Sequence, residues 1–164
     1  MTIYYKGVDE KAWKVLDKNT QKKGAYLWDT LRLPDGKYQV KLTASDDPDN
    51  PQETAFIAEN MIQPIVIDNS RPNIKSLDAA AGTEGKYVIS GAARDDYSNV
   101  VKVQYTIDGQ EWTSAYPVDG VFDSLEEPFQ ITTRPLVPGN YTLIVNAFDS
   151  EGNIGIEKVL IEVK

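Results

Sequence analysis

Apolar and polar residues alternate along several stretches of the chain. After Tyr38, every second residue up to position 44 is apolar, and Gln, Lys and Thr occupy the positions between them. The same phase follows Tyr141, and residues 101–107 alternate likewise, with apolar side chains at the odd-numbered positions. A period of two is typical of a β-strand with one buried face, so these runs predict three strands.

Turn-forming residues separate the predicted strands. Asp108-Gly109 directly follows the third run, and because glycine accepts a positive φ without steric cost, the pair favours a tight hairpin. Helical spacing is confined to residues 9–16, which a pair of strands explains better. Short strands with frequent turns predict an all-β fold of the sandwich type.

The chain contains an internal repeat. Ile-Tyr-Tyr near its start, followed by Trp13, resembles Val-Gln-Tyr at residues 103–105, followed by Trp112, and the sequence around Tyr38 resembles that around Tyr141. The offset is 100 for the first piece (3 to 103), 99 for the tryptophans (13 to 112) and 103 for the tyrosines (38 to 141). This near-constant offset indicates a duplication, and the recurrence of the two tryptophans predicts a structural packing role for both.

The repeat divides the chain into two modules, residues 1–70 and residues 71–164. A polar turn that ends in Pro72 separates them and suits a short, stiff linker. The second module has two additional predicted strands, at residues 74–77 and 87–91, so we expect it to be complete with seven strands. The first module begins at what would be its third strand. We therefore expect it to have an exposed sheet edge, and we expect the chain to be the C-terminal part of a larger protein.

The segments Leu-Arg-Leu-Pro-Asp-Gly-Lys-Tyr38 and Leu-Val-Pro-Gly-Asn-Tyr141 resemble the sixth strand of fibronectin type III and related immunoglobulin-like domains. Residues 5–45 are also similar to the three-tyrosine module that follows β-propellers in bacterial sensor proteins. The resemblance implies two tandem immunoglobulin-like or fibronectin type III-like β-sandwiches, the first of which lacks its opening strands. It also implies that the hydroxyls of Tyr38 and Tyr141 bond to the backbone just upstream.

The composition excludes several classes of function. The chain has 164 residues, a net charge of −8, and neither cysteine nor histidine. Disulfide bonds, cysteine nucleophiles, serine–histidine–aspartate triads and zinc sites with histidine or cysteine ligands are therefore excluded. The negative charge argues against nucleic acid as a partner, and no apolar run is long enough to insert in a membrane. We expect no enzyme activity and no cofactor other than calcium.

Three groups of aspartates are candidate calcium ligands, because calcium prefers oxygen ligands. The first group lies on a long acidic segment that follows the Tyr38 strand, and the other two lie on loops expected at the same end of the second sandwich. The linker pair Asp68-Asn69 would join these two loops. The aspartates are Asp46, Asp47, Asp49, Asp95, Asp96 and Asp149. A solvated loop or an ordinary turn is the alternative explanation for each group.

Exposed aromatic side chains stack on sugar rings, which makes glycan binding another candidate function, with packing inside the sandwich as the alternative. The aromatic candidates are Trp13, Trp28, Trp112, Tyr4, Tyr26 and Tyr116. Glu126-Glu127 is the best remaining carboxylate pair for a glycosidase. Adjacent residues do not provide the facing carboxylates that this chemistry needs.

Together these observations predict a non-catalytic structural spacer or interaction module of a larger bacterial protein. We expect it outside the cell, in the periplasm or on the cell surface. Expected partners are neighbouring domains, another protein chain or a second copy in a homodimer. A module that binds glycan or calcium is the alternative function.

Overall fold

The computed structural model describes residues 1–18, 25–47, 50 and 54–164. Within these ranges the chain is all-β, with twelve strands and no helix. The described part of the chain accordingly has no helix long and apolar enough to cross a membrane. The chain divides into two compact units, Met1–Asp68 and Asn69–Lys164. The boundary expected from the sequence lies two residues later, after residue 70.

The described residues of the first unit form a single four-stranded antiparallel sheet. Its strands are β1 (Thr2–Gly7), β2 (Lys14–Lys18), β3 (Gly36–Ser45) and β4 (Ile57–Ile67). Their order across the sheet is β2-β1-β3-β4, so β2 and β4 are the edges. β1 and β2 pair with each other, which confirms strands rather than a helix in the region around residues 9–16.

The second unit contains eight strands in two four-stranded antiparallel sheets. They are β5 (Asn73–Ala81), β6 (Tyr87–Arg94), β7 (Val100–Ile107), β8 (Thr113–Ser114), β9 (Tyr116–Pro117), β10 (Glu126–Thr132), β11 (Gly139–Asp149) and β12 (Ile154–Val163). One sheet has the order β5-β6-β10-β9, and the other has the order β12-β11-β7-β8. β5 and β6 are the two additional strands that the sequence predicts.

The second unit has eight strands rather than the expected seven because the segment after β7 changes sheets. β8 pairs with β7, whereas β9 pairs with β10 in the other sheet. Ala115 is the residue between β8 and β9. It is buried, and its N–H donates a hydrogen bond of 2.9 Å to the carbonyl oxygen of Val103.

Both sheets of the second unit contribute to one hydrophobic cluster. In β11, Leu143, Val145 and Ala147 are fully buried and the residues between them are less buried, which confirms the predicted alternation. Ile89 of β6 and Phe129 of β10 belong to the same cluster. Because the chain has no cysteine, removal of this apolar surface from water is the main term that stabilises the unit.

The alternation expected for residues 101–107 is wrong at its first position and at Thr106, which is only 2% exposed although the alternation predicts that it faces outward. Val100 is fully buried, whereas Val101 is 45% exposed. The ladder between β7 and β11 is irregular between Phe148 and Asp149, and Val100 lies opposite Asp149. An irregularity of one residue exchanges the inward and outward positions at the end of a strand.

A tight turn follows β7, as the sequence predicts. Asp108 and Gly109 have φ values of 51° and 69°, and two successive positive φ values are typical of a type I′ hairpin. The N–H of Gln110 donates to the carbonyl oxygen of Ile107 at 3.1 Å. The Asp108 carboxylate accepts the N–H of Thr142 at 2.7 Å, which attaches the turn to β11.

The sheet of the first unit has the same strand order as one sheet of the second. β2-β1-β3-β4 corresponds to β8-β7-β11-β12, in the same order along the chain. Trp13 directly precedes β2, as Trp112 directly precedes β8. The order and these positions agree with a repeated structural unit.

The two copies differ in register. Tyr5 lies opposite Val40 in the first unit. By the offset of 103, the equivalent of Val40 is Leu143, but Tyr105 lies opposite Val145, two residues further along β11. Tyr5 and Tyr105, which resemble each other in sequence, therefore occupy different levels of their sheets.

Candidate functional site

Tyr38 and Tyr141 each bond to the backbone four residues upstream. The Tyr38 hydroxyl donates to the carbonyl oxygen of Pro34 at 2.7 Å, and the Tyr141 hydroxyl donates to that of Val137 at 2.9 Å. These are the hydrogen bonds that the resemblance implies. Because Pro34 and Val137 are also 103 positions apart, the same offset relates the segments just before β3 and β11.

One face of the first unit's sheet, here called the Tyr38 face, carries Ile3, Tyr5, Tyr38 and Val40. Tyr5 lies directly opposite Val40, and side chains two residues apart on a strand point to the same side. Ile3, Tyr38 and Val40 are buried. Burial raises the pKa of Tyr38 above its ordinary value, because removal of water disfavours the charged phenolate.

Trp28 packs on the Tyr38 face. Its ring centroid lies 5.0 Å from that of Tyr5 and 6.3 Å from that of Tyr38. Tilted and edge-on contacts at these distances each contribute about 1 kcal/mol beyond the burial of surface. Trp28 is only half-buried, so its outer side is left without a covering layer among the described residues.

Residues 25–30, which contain Trp28, are the equivalent of residues 128–133 by the offset of 103. In the second unit this segment is mostly β10, which pairs with β6 and buries Phe129 and Ile131 completely. Residues 27–30 alternate in the same phase but are more exposed than their counterparts, and residues 25–29 belong to none of the described sheets. The described first unit therefore has a counterpart of only one of the two sheets.

The outer strand β4 extends this exposed surface. β4 is an edge strand of eleven residues. Ile62 lies opposite Val40 and so belongs to the Tyr38 face, yet it is 43% exposed. Pro64 has no backbone N–H to donate, which weakens the tendency of β4 to pair with further strands. The exposed large apolar residues of β4 are Ile57, Met61, Ile62 and Val66.

Trp13 and Tyr4 take part in packing on the opposite face of the same sheet. The ammonium groups of Lys6 and Lys41 lie 5.2 Å from the centre of the Trp13 ring. Lys41 lies at the same distance from Tyr4 and forms an ion pair of 3.1 Å with Glu59. Contacts of this kind contribute about 0.5–1 kcal/mol each at exposed sites. They occupy aromatic surface that a sugar would need.

Trp112 is not part of the hydrophobic cluster of the second unit. Its side chain is 43% exposed, and it directly precedes the two-residue strand β8, the outermost strand of its sheet. Its packing role stays a prediction. Tyr26 and Tyr116 are exposed as well, and Tyr116 is 75% exposed. Of the six aromatic glycan candidates, Tyr116 is thus the most accessible.

The aspartates of the first unit organise their own loop. One oxygen of Asp46 accepts the N–H of Phe56 at 2.6 Å, and the other accepts the side-chain amide of Asn50 at 2.9 Å. The N–H of Asp47 donates to the Ser45 hydroxyl at 3.1 Å. Asp49 lies outside the described residues. These contacts agree with the loop alternative, and calcium binding at this segment stays a prediction.

Asp95 and Asp149 come together at one end of the second unit, as the sequence predicts for the loops after β6 and β11. Both are buried, and one carboxylate oxygen of each lies within 4.8 Å of the other. Asp96, in contrast, points to the surface and contacts Arg94 at 3.3 Å. Two of the three predicted ligands in these loops are therefore adjacent.

Each of the two buried carboxylates is already used by its own loop. Asp95 accepts the N–H groups of the residues two and three positions later, at 2.9 and 3.2 Å. Asp149 accepts those two and four positions later, at 2.9 and 2.8 Å. These hydrogen bonds agree with the turn alternative for both residues, and calcium binding by them stays a prediction. Asp68 and Asn69 lie on either side of the unit boundary, and their predicted contribution to a calcium site stays a prediction.

Glu126 and Glu127 point to opposite sides of β10. Glu127 is 1% exposed and accepts the N–H groups of Asp123 and Ser124 at 2.8 and 2.6 Å. Glu126 is exposed and lies 3.5 Å from Arg94. Because neighbouring residues on a strand alternate in direction, the pair does not face a common cleft. Glu127 is a structural residue that the sequence pattern does not reveal.

Two cavities of about 200 and about 280 Å³ lie beside β8 and share Tyr105 and Thr113 in their walls. Together they are called the groove beside β8, and the sequence pattern does not predict it. The smaller is also lined by Gln110 and Arg134, and the larger by Tyr116. The walls of the groove come from parts of the chain that are far apart in sequence. Tyr116 is the one residue of the walls that the sequence analysis names as an aromatic candidate.

No protein-family model matches the chain. A relative in Bacillus subtilis (strain 168), described as uncharacterized protein YvnB, is 24% identical over 127 residues, which is 77% of this chain. The match covers 8% of that relative's length. The chain is thus similar to a short segment of a much longer bacterial protein.

Proposed function

We propose that the chain is a non-catalytic structural and interaction module of a larger, exported bacterial protein. It consists of two immunoglobulin-like β-sandwich units, and the first unit takes up two strands from a neighbouring part of that protein to complete its second layer. The observation that carries the proposal is the segment of residues 25–29, which corresponds to residues 128–132 of β10 but belongs to none of the described sheets.

The second unit supplies the template for the added strands. There, β6 pairs with β10, and Ile89 of β6 lies opposite Ile131 and is fully buried. β5 pairs with the other side of β6. A hairpin of the same kind beside residues 25–30 would cover Trp28. Strand addition of this type draws its affinity from backbone hydrogen bonds and its specificity from alternate side chains.

A neighbouring part of the same protein is the favoured source of the hairpin. The relative with which the chain aligns extends far beyond the matched segment. Strands supplied within one polypeptide act at a high effective concentration, so they close the layer without a strong interface between separate chains. The location outside the cell, in the periplasm or on the cell surface rests on the resemblance to modules of bacterial sensor proteins.

The described carboxylates support the non-catalytic part of the proposal. Glu127, Asp95 and Asp149 accept hydrogen bonds from nearby backbone N–H groups, and Glu126 contacts Arg94. A glycosidase needs two carboxyl groups that face each other across a bound sugar, and Glu126 and Glu127 do not have this arrangement.

Hydrogen exchange on the purified chain, together with its mass from light scattering, tests the proposal. We expect a monomer in which the amides of residues 25–30 exchange rapidly while those of β10 exchange slowly, since only β10 has a pairing strand. A monomer with equal protection at both segments would contradict the proposal. A dimer with protected residues 25–30 would show instead that a second copy supplies the strands.

A graft of the missing hairpin makes the test sharper. A second copy of residues 73–100, placed ahead of residue 1, adds β5, β6, the loop that leads into β7 and Val100. Because residue 1 corresponds to residue 101 by the offset of 100, the added segment enters β1 by the same route. We expect slower exchange at residues 25–30 and a more stable first unit. The matched control carries Ile89→Asp in the added copy only, which places a charge at the buried position and removes the gain.

A further inference from the structure

The groove beside β8 lies where the chain changes sheets. β8 ends one sheet and β9 ends the other, and Ala115 between them is buried. The Ala115 N–H bonds to the carbonyl oxygen of Val103, and the Val118 N–H bonds to that of Pro128, both at 2.9 Å. These bonds attach the crossing segment to both sheets, so the walls of the groove rest on regular structure rather than on a free loop.

Two tyrosines provide aromatic surface in this groove. Tyr105 is half-buried and lines both cavities. Burial raises its pKa above the ordinary value, because removal of water disfavours the charged phenolate. Tyr116 is 75% exposed and lines the larger cavity. An exposed ring next to a half-buried one offers flat apolar surface at the mouth and at the inner wall.

Hydrogen-bonding side chains surround the two rings. In the smaller cavity, Arg134 donates to the side-chain oxygen of Gln110 at 2.7 Å, and Glu111 is nearby in the wall. In the larger cavity, Gln130 and Thr132 add an amide and a hydroxyl. Amides and hydroxyls both donate and accept hydrogen bonds. One arginine and one glutamate leave the groove without net charge, which favours a neutral ligand.

We propose that this groove binds a short segment of a neutral oligosaccharide. A sugar ring has an apolar face for a tyrosine ring and hydroxyl groups at its rim for the surrounding amides and hydroxyls. The two cavities, at about 200 and about 280 Å³, are small and open compared with drug-sized pockets of roughly 300–1,000 Å³. The expected affinity is accordingly weak, with a Kd of about 1 mM.

Amide NMR spectra of the full chain, titrated with cellohexaose, laminarihexaose, maltohexaose and xylohexaose, test this inference. With at least one of these sugars we expect saturable shifts at Thr113, Tyr116 and Gln130. The concentration should reach ~10 mM, about ten times the expected Kd. Absence of shifts with all four sugars, or shifts confined to other parts of the second unit, would overturn the inference.

A pair of tyrosine and tryptophan variants provides the matched control. Tyr116→Ala removes the exposed ring of the groove, and we expect Kd to rise about tenfold. Trp112→Ala removes an exposed ring that does not line either cavity, and we expect Kd to stay the same. Equal affinity of Tyr116→Ala and the unchanged chain would overturn the inference. The result is independent of the strand-addition proposal, which concerns the first unit.

Discussion

The hydroxyl of Tyr38 donates a hydrogen bond of 2.7 Å to the carbonyl oxygen of Pro34, in a part of the sheet where Tyr38 is only 7% exposed. The bond holds the segment that leads into β3 against the beginning of that strand. Tyr38→Phe leaves this carbonyl without the donor, and we expect the free energy of unfolding of the first unit to fall by about 1 kcal/mol. Chemical denaturation followed by the amide signals of β3 measures the change.

Two further variants serve as a comparison and a control for Tyr38→Phe. Tyr141→Phe removes the equivalent bond to Val137 and is expected to cost less, because Tyr141 is more exposed than Tyr38. Tyr97→Phe changes an exposed tyrosine and is expected to have no effect. An unchanged stability of Tyr38→Phe would show that the bond contributes nothing in the folded unit.

Glu127 offers a sharp test of a buried carboxylate that holds a loop. Glu127→Ala leaves the N–H groups of Asp123 and Ser124 without their acceptor, and we expect a loss of about 2–4 kcal/mol in the stability of the second unit. Glu126→Ala, one residue away, removes only an exposed ion pair and is expected to cost less than about 1 kcal/mol. Thermal and urea unfolding distinguish the two. Similar losses for both variants would contradict a special role of Glu127.

Gly91 has no room for a side chain. A Cβ atom at this position would lie 2.6 Å from Cζ of Phe129 and 3.2 Å from Cδ1 of Leu77. Overpacking of a filled core typically costs 1–3 kcal/mol, so we expect Gly91→Ala to destabilise the second unit by roughly 2 kcal/mol.

A double-mutant cycle checks that the cause is the contact with Phe129. Phe129→Leu shortens the side chain that the new methyl group meets. We expect the combined variant to lose less stability than the sum of the two single losses. Strictly additive losses would place the cause elsewhere.

We expect the stability of the second unit to depend on the protonation of Tyr105. Burial raises the pKa of Tyr105 above its ordinary value of 10.0, so the unfolded chain loses this proton first as the pH increases. The contribution is fully present below about pH 10 and is lost as the pH rises through the folded-state pKa. We expect the stability of the unchanged chain to fall more steeply between about pH 9 and pH 11 than that of Tyr105→Phe. Equal slopes would contradict this coupling.

Asp149 allows the loop explanation to be separated from the calcium hypothesis. Asp149→Ala removes the acceptor for two backbone N–H groups, whereas Asp149→Asn keeps a side-chain carbonyl oxygen at that place. We expect the alanine variant to lose about 1–3 kcal/mol and the asparagine variant to lose less, equally in EDTA and in calcium chloride. A loss that appears only with calcium would support the calcium hypothesis, and Asp68→Asn would then test the linker residue.

The local features of the fold could be predicted from the sequence because their causes are local. The alternation after Tyr141 is a property of neighbouring side chains, and β11 buries the predicted residues. The hairpin at Asp108-Gly109 depends on the backbone freedom of two residues. The alternation places Val101 on the wrong side, because the irregularity of its strand arises from pairing with β11 and is not visible in the sequence of β7 alone.

The candidate site was predictable only where chain topology sufficed. The loops after β6 and β11 were expected at one end of the second unit, and Asp95 and Asp149 do lie together there. The recurrence of Trp112 predicts a packing role, but it does not reveal that Trp112 is 43% exposed beside a two-residue edge strand. Glu127 reads as one of two adjacent surface carboxylates, and only the loop that folds over it explains its burial.

Periodicity, turn residues and the internal repeat were enough to determine an all-β chain with two units, since they depend on contacts within a few residues and on comparison of the chain with itself. Three matters depended on the tertiary structure: which aromatic rings are covered, which carboxylates are buried, and that residues 25–29 belong to none of the described sheets. The physical reason is that burial and strand pairing depend on which distant segments become neighbours. A residue's own sequence context does not specify those neighbours.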